Sequence, residues 1–397
     1  EGSDRPLAQD RDHFEALHAE RQPIYAELAD AILPPGDHEL VTRALPSLIG
    51  LRELPLRTRM AWASSDSGEY PAYVGEGLLA GGYWPLEGRR FCVSDSTVAA
   101  LYAEAVQPLA GLVEVEPGER AKTLPEAERV LRELARLGMS RSDHLVALGG
   151  GVVGDLAGFC AATYQRGVGL VQVPTTLVAQ VDSAYGGKTG VDLPEAKNYV
   201  GVYHLPRAVI ADTATLVTLP AAEMAAGFVE VVKTALIAGG ELWGQVRALE
   251  ALDPAKLGGV IFACARTKLE IVAADERDGG RRAVLNLGHT VGHAIEAASG
   301  YERYRHGEAV GLGLLATLRL SGAEELRDEV LGLLDRYGLP TRLDPAIDVD
   351  AVLAAVELDK KRTADGVGFV LLERAGQPAI GRRVDPDTVR AAVEELR

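Results

Sequence analysis

The chain has 397 residues, 47% hydrophobic and 25% charged, the balance of a folded globular protein with two or three domains rather than a disordered one. Its formal net charge is −16, so nucleic acid is not an expected partner, and a small anionic ligand would need a locally basic pocket. Every stretch of about 18 residues carries charges or polar breaks, so a membrane-spanning helix is not expected either.

Residues 1–52 are polar and read as helix, interrupted at Leu33-Pro34-Pro35-Gly36. The first twenty are charged and lack the apolar run of a secretory signal. The sequence opens on Glu1 rather than Met, so it can begin inside a longer chain. From about 58 to 220, short apolar runs alternate with stretches of helical spacing. The runs are Phe91–Ser94, Leu112–Val115, His144–Leu148, Leu170–Val173 and Ala208–Ala211; the helical stretches include Thr97–Leu109 and Pro125–Leu137. This alternation predicts a mostly parallel sheet covered on both faces, an α/β domain of nucleotide-binding type. After Pro220 the spacing predicts long helices over 221–238, 255–275, 287–299, 307–320 and 323–337. A hairpin-like piece, Val367–Leu372 and Ala379–Val384, interrupts them around Ala375-Gly376. The expected division is 1–52, an extension; 53–220, an α/β domain; and 221–397, an α-rich domain, with the site in the cleft between the last two. Cys92, Cys160 and Cys264 lie far apart among apolar neighbours, as buried reduced thiols of a cytoplasmic protein would.

Three stretches carry chemistry. The first is His144-Leu-Val-Ala-Leu-Gly149-Gly-Gly151-Val-Val-Gly154-Asp155, a strand, then Gly-x-Gly-x-x-Gly, then a helix start. Glycines let the backbone approach a pyrophosphate, and a helix N-terminus favours negative charge. By itself the motif also describes a ligand-free tight turn. It follows two earlier strands rather than the first, and no acidic residue lies about 20 positions on, so Asp95, ending the Phe91–Ser94 strand, is the alternative ribose partner. The second is Val173-Pro-Thr175-Thr176-Leu, then Asp182, Gly186-Gly187-Lys188-Thr189 and Lys197-Asn198. Hydroxyls, a carboxylate, two lysines and an amide on turns beyond a strand suit a phosphate and polyol site. It is not a P-loop, because Asp182 stands where that loop needs its first Gly.

The third is Asn286-Leu-Gly-His289-Thr-Val-Gly-His293, followed by His306-Gly-Glu308. His289 and His293 share a helical face. Glu230 and Lys233 lie one turn apart in an apolar helix, where a carboxylate needs a partner. Two or three imidazoles and one carboxylate match a catalytic Zn²⁺ site with one position open. The His-Glu-x-x-His template does not apply, since Thr290 occupies its Glu position. Arg166, Lys188, Lys197, Lys233, Lys268, Arg281, Arg282 and Lys360-Lys361-Arg362 add basic charge around these motifs, suggesting a focused anion pocket.

Together, Gly149-Gly-Gly-Val-Val-Gly-Asp-Leu-Ala-Gly-Phe, Ala-Thr-Tyr-Gln-Arg166-Gly, Gln172-Val-Pro-Thr-Thr-Leu, Asp182-Ser, Gly-Gly-Lys-Thr, Lys197-Asn198 and the histidine motifs resemble the 3-dehydroquinate synthases, members of the sugar phosphate cyclases. The resemblance runs from about residue 58 to the end. It implies an α/β fold with a Rossmann-like NAD-binding domain followed by an α-helical metal-binding domain. It implies NAD and a divalent metal, Zn²⁺ or another such as Co²⁺, and a sugar-phosphate substrate, 3-deoxy-D-arabino-heptulosonate 7-phosphate. A ring carbinol would be oxidised transiently, phosphate eliminated, the ketone reduced again and the carbocycle closed by an intramolecular aldol step. By that resemblance the metal ligands are Glu230, His289 and His306, and His293 belongs to the substrate site. The NAD site would include Asp95, Glu119, Lys122, Gly151, Val152, Val153, Gly154, Asp155, Thr175, Thr176, Asp182, Lys188, Lys197, Thr215 and Thr218. The substrate site would include Arg166, Asp182, Lys188, Asn198, Lys233, Lys268, Arg282, Asn286 and His293, with Lys360 or Lys361. A homodimer is implied as well. Two positions depart from the family run: Ala184-Tyr185 replaces Ser-Val, and Gly169 stands where an Arg is frequent.

Valiolone-forming cyclases, the nearest alternative, typically carry Asp and Pro in place of the Asn and second His that stand here as Asn286 and His293. A glycerol-type polyol dehydrogenase is a further alternative. Asp4-Arg5-Pro6-Leu7, Arg21-Gln-Pro-Ile-Tyr25 and Ala29 resemble the C-terminal end of shikimate kinase, as part of a kinase–synthase fusion or a decayed kinase; a plain helical extension is the other reading.

Overall fold

A computed structural model describes residues 11–35, 38–361 and 368–397, apart from the side chains at 22, 23, 26, 27, 38 and 359–361. The kinase-like Asp4-Arg5-Pro6-Leu7 and the expected hairpin start at Val367 lie outside the described residues. Helix α1 (Arg11–Leu28) leaves Phe14, Ile24 and Leu28 exposed. The rest of the extension joins the sheet domain. Strand β1 (Ala31–Ile32) pairs in parallel with β2 (Arg59–Ser65), and α2 (His38–Gly50) buries Leu40 and Ala44 in the core under the sheet.

Strand β2 turns into β3 (Gly68–Gly75) as an antiparallel hairpin that the sequence reading did not anticipate. The chain then alternates strands and helices: β4 (Arg90–Asp95), α3 (Ser96–Tyr102), β5 (Gly111–Val115), α4 (Leu124–Arg136), β6 (His144–Gly149), α5 (Gly151–Thr163) and β7 (Gly169–Pro174). A two-stranded antiparallel arm, β8 (Lys188–Leu193) and β9 (Ala196–Tyr203), projects before β10 (Ala208–Asp212) closes the sheet. The eight strands run in the order β1-β2-β3-β10-β7-β6-β4-β5, and every pair except β2–β3 is parallel. β6 and β10 are buried at every residue, which is why they read as unbroken apolar runs. The predicted Thr97–Leu109 helix ends at Tyr102 and continues as a 3₁₀ turn. Helix α4 starts where Thr123 accepts the Glu126 N–H and Pro125 occupies the first turn.

From Ala221 onward the chain is helical: α6 (Ala221–Ala238), α7 (Gly240–Arg247), α8 (Pro254–Ala274), α9 (His289–Ala298), α10 (His306–Leu320), α11 (Glu324–Arg336) and α12 (Val349–Lys361), then the hairpin β11 (Phe369–Leu372) and β12 (Pro378–Arg382), and α13 (Pro386–Glu394). Helix α6 is buried without a break from Met224 to Ile237, the centre of the bundle. Helix α8 packs on the β2–β3 face, and Ala61, Ala63 and Ala72 share one core with its Ile261 and Ala265. Helix α10 meets its neighbours backbone to backbone. A Cβ on Gly307 would lie 1.9 Å from the Ala226 carbonyl of α6, and one on Gly313 would lie 2.1 Å from the Gly288 carbonyl that opens α9. All three cysteines are buried thiols. Among the described residues no helix is long and apolar enough to cross a membrane.

Candidate active site

Between β4 and β6 the sheet order reverses: β4 leads outward to β5, and β6 leads the other way to β7. Such a switch point opens a crevice beyond the strand C-termini, where open α/β sheets bind ligands. Asp95 ends β4 there and caps α3, its Oδ1 accepting the N–H groups of Thr97 and Val98 at 3.0 Å. Gly149 ends β6, and the glycine turn leads directly into the first turn of α5. A Cβ on Gly150 would meet Thr176 at 2.9 Å and one on Gly151 would meet Ser183 at 3.0 Å, so the turn must stay bare. The buried hydroxyls of Thr175 and Ser183 have no partner among the described residues. A bare glycine turn, a helix N-terminus and orphaned hydroxyls fit a dinucleotide pyrophosphate. Lys122 is buried, binds Asp155 at 2.8 Å in this first turn and lies 3.6 Å from Glu119. Thr215 accepts from the Gln180 amide and Thr218 bonds Tyr102, so both line the loop after β10.

Beyond β7 the chain makes a π-helical turn, Ala179–Ser183, that carries Asp182. Gln180 pins this turn, its amide donating to Pro174 O, Asp212 O and Thr215 Oγ1. Tyr185, fully buried, donates to Gln180 O at 2.9 Å, so its position beside the site is structural packing of this turn. Asp182 is thereby placed against two buried lysines. Lys268 of α8 lies 2.5 Å from its carbonyl and 2.9 Å from its Oδ1, and Lys233 of α6 lies 3.8 Å from Oδ1. Burial works against the Asp182 carboxylate, but Lys233 and Lys268 overcome it and hold its pKa down at about 2. Burial lowers the Lys268 pKa despite Asp182, whereas Lys233, flanked by Asp182 and Glu230, is held above its ordinary value against burial.

Glu230, one turn before Lys233, is 1% exposed, and its Oε2 lies 2.5 Å from the Lys233 ammonium. Its Oε1 accepts no hydrogen bond among the described residues and faces His289 Nε2 and His306 Nε2, each 3.6 Å away. Donors about 2.0–2.2 Å from a tetrahedral ion lie ~3.4 Å apart, so this orphaned oxygen and the two nitrogens have the spacing of a coordination shell. His293 adds a third imidazole: the nitrogens of His289, His293 and His306 fall within 4.8 Å of one another. His289 Nδ1 faces Leu287 O at 3.2 Å and His306 Nδ1 faces Glu296 Oε2 at 3.2 Å, which leaves both Nε2 atoms for a metal. Without a cation, burial opposes charge on His306, yet Glu230 and Glu296 push its pKa up to about 10. Burial drives His289 down to about 3, keeping it neutral.

Other expected residues are placed as follows. Lys188 opens β8 and pairs with Asp278. Lys197 and Asn198 lie on β9, on a strand rather than on the turns expected, and Asn198 has a left-handed φ of 55°. Arg282 is buried, binding the carbonyls of Gly186 and Glu276. Asn286 is exposed just before α9. Arg166 is exposed on a 3₁₀ turn with φ 69° and is not linked by a hydrogen bond or ion pair to the Glu230 cluster. The side chains of Lys360 and Lys361 lie outside the described residues. Sequence reading gave no role to Glu296. Its signal was present: it follows His289 by seven residues, two turns along the same face.

Residues 112–226 match the 3-dehydroquinate synthase N-terminal family and 227–362 the 3-dehydroquinate synthase C-terminal family. The chain is 43% identical over 352 residues to 3-dehydroquinate synthase of Halorhodospira halophila, covering 85% of this chain and 99% of that one. Among solved structures it is similar to 2-deoxy-scyllo-inosose synthase in complex with carbaglucose-6-phosphate, NAD⁺ and Co²⁺ (26% identity, TM-score 0.75, 85% of this chain and 99% of that one). It is also similar to ValA, a 2-epi-5-epi-valiolone synthase from Streptomyces hygroscopicus with NAD⁺ and Zn²⁺ bound (26% identity, TM-score 0.73, 84% and 98%).

Proposed function

We propose that this chain, which belongs to the 3-dehydroquinate synthase family, converts 3-deoxy-D-arabino-heptulosonate 7-phosphate to 3-dehydroquinate and phosphate in the shikimate pathway of aromatic amino acid biosynthesis. It is a carbon–oxygen lyase that uses NAD and a divalent ion, Zn²⁺ or Co²⁺. When bound, NAD supplies a hydride acceptor and donor, and the ion a Lewis acid. Glu230, His289 and His306 hold the ion. The glycine turn Gly151–Asp155, with Asp95, Lys122, Thr175 and Thr176, holds the dinucleotide. Asp182 lies against Lys268 and against Lys233, which also pairs with Glu230. The lysines are fixed, buried charges that bind the anionic substrate and its leaving phosphate, with Lys188, Asn198, Arg166 and Arg282. His293, grouped with His289 and His306, assists proton movement near the phosphate together with Asn286. A cytoplasmic homodimer is the expected setting.

The observation that carries this reading is the orphaned Glu230 Oε1 between two imidazole Nε2 atoms, one helical turn from a lysine that reaches Asp182. The likeness to ValA favours one second reading, cyclisation of sedoheptulose 7-phosphate. Purified protein with NAD and Zn²⁺ should release phosphate from the deoxyheptulosonate phosphate, without net NADH, and not from sedoheptulose 7-phosphate. The reverse preference overturns the assignment. Sustained NADH accumulation with a simple polyol would point instead to a dehydrogenase.

A further inference from the structure

Glu296 joins two parts of the molecule. It is a carboxylate on α9, 4% exposed, in an otherwise apolar stretch. Its Oε2 lies 3.2 Å from His306 Nδ1 and its Oε1 lies 3.7 Å from Lys197 Nζ. Lys197 comes from β9 of the projecting arm and also lies over the Tyr301 ring, 4.5 Å from its centre. The arm is tied to the α/β half at Asp192, whose N–H donates to Lys122 O, and Lys122 in turn holds Asp155 in the glycine turn. On the helical side the arm is tied by Lys188 to Asp278, by the Tyr203 hydroxyl to Arg277 O, and by Lys197 to Glu296.

We propose that Glu296 is a positioning residue shared by the ion site and the arm. One oxygen accepts the His306 Nδ1–H, so that the ring presents Nε2 toward Glu230. The other receives Lys197, so that the arm docks on the helix that carries His289. A buried carboxylate needs both partners, since an unpaired buried charge is costly. Placing the arm and orienting a metal ligand therefore draw on the same side chain. This rests on the ion assignment above.

The test measures Zn²⁺ affinity of the metal-free full chain by competition with a chromophoric chelator, and separately the KM for NAD. Glu296→Gln keeps the shape and an oxygen for His306 but removes the charge. Loss of such an outer partner typically weakens metal binding ~10–100-fold, and at least the lower figure is expected here. Lys197→Met should leave Zn²⁺ affinity within about threefold, below the range for a lost ligand partner, and raise the KM for NAD. E296Q should raise that KM too, and the double variant should add nothing further to it. Should E296Q fail to fold, Glu296→Asp retains the charge but falls one methylene short of His306, and the same loss of Zn²⁺ affinity is expected. E296Q with parental Zn²⁺ affinity, while His289→Ala has lost it, overturns this inference alone. Additive effects of E296Q and K197M on the KM for NAD overturn the shared role. A parent chain without tight Zn²⁺ binding overturns the ion assignment as well.

Discussion

Gly307→Ala is the sharpest test of how the ion site is dimensioned. Gly307 follows His306 in the first turn of α10, and its added Cβ would lie 1.9 Å from Ala226 O and 2.6 Å from Ala226 C. A carbon rests no closer than about 3.3 Å to a carbonyl oxygen, so α10 and α6 must part there by roughly 1.4 Å. Ala226 is one turn before Glu230 on α6. The 3.6 Å between Glu230 Oε1 and His306 Nε2 therefore opens toward about 5 Å, beyond the ~3.4 Å that one zinc ion spans. Overpacking of this kind costs about 1–3 kcal/mol, and a misplacement near 1 Å costs on the order of 10²-fold in rate. The expected variant folds with a lower Tm, holds less zinc after dialysis and has a sharply lower kcat. Metal analysis, thermal unfolding and phosphate release read these together. A G307A protein with parental zinc, kcat and Tm would refute the idea that backbone contact between α10 and α6 sets the ligand spacing.

Gly332→Ala is the contrasting case: a Cβ at this exposed position of α11 meets nothing within 4 Å, so a stabilisation of roughly 0.5–1 kcal/mol is expected by chemical denaturation, with unchanged activity. His289→Ala should lose metal and at least ~10²-fold in rate together, whereas His293→Ala should keep its metal and lose rate; metal analysis beside phosphate release distinguishes them, and the opposite pattern reverses the ligand assignment. His144 is buried and accepts the Trp84 indole N–H at 2.8 Å, and burial, aided by Arg90, lowers its pKa to about 4. Because the folded pKa lies below the unfolded one, its neutral ring contributes stability fully above about pH 6.5, lost as pH falls through 4. His144→Gln should flatten the decline of Tm over that range, and an unchanged slope would count against it. The chain should not form ADP with shikimate and ATP, because Gly186-Gly187-Lys188-Thr189 lacks the first Gly of a phosphate-binding loop; ADP above background would show that the tail was misread.

The strands β4, β5, β6, β7 and β10 were legible because burial on both faces writes a continuous apolar run, and α6 and α10 because each carries an apolar run of helical length, buried from Met224 to Ile237 and from Ala309 to Leu318. The β2–β3 hairpin was not, since Pro71 stands opposite Trp62 in its middle and alanines replace the β-branched residues that mark a strand. The arm was read as turns because Gly186, Gly187, Gly190 and Gly201 dominate its sequence. Its strands pair with each other rather than with the main sheet, so they carry no core pattern. At the site, His289, His306 and Glu230 stood out as polar residues in apolar helices. Which imidazoles pair with the carboxylate is a matter of tertiary placement, which the shared helical face of His289 and His293 does not decide. Glu296 was passed over because its partner, Lys197, is 99 positions away in the chain and belonged to another motif.

The packing of α8 on β2 and β3 also has a consequence for the order in which the protein is made. The inner face of that hairpin, with Ala61, Ala63, Tyr70, Ala72 and Val74, is complete once residue 75 has been synthesised, but its cover arrives only with Pro254–Ala274. At ribosomal speeds of about 5–20 residues per second, this apolar surface waits on the order of 10–40 s without its partner. The glycine turn, Asp95 and Asp182 all emerge in that interval, ahead of Glu230, His289 and His306, the proposed ion ligands. The half carrying the dinucleotide crevice must therefore hold its shape, or be shielded by a chaperone, before the helices that finish the centre exist.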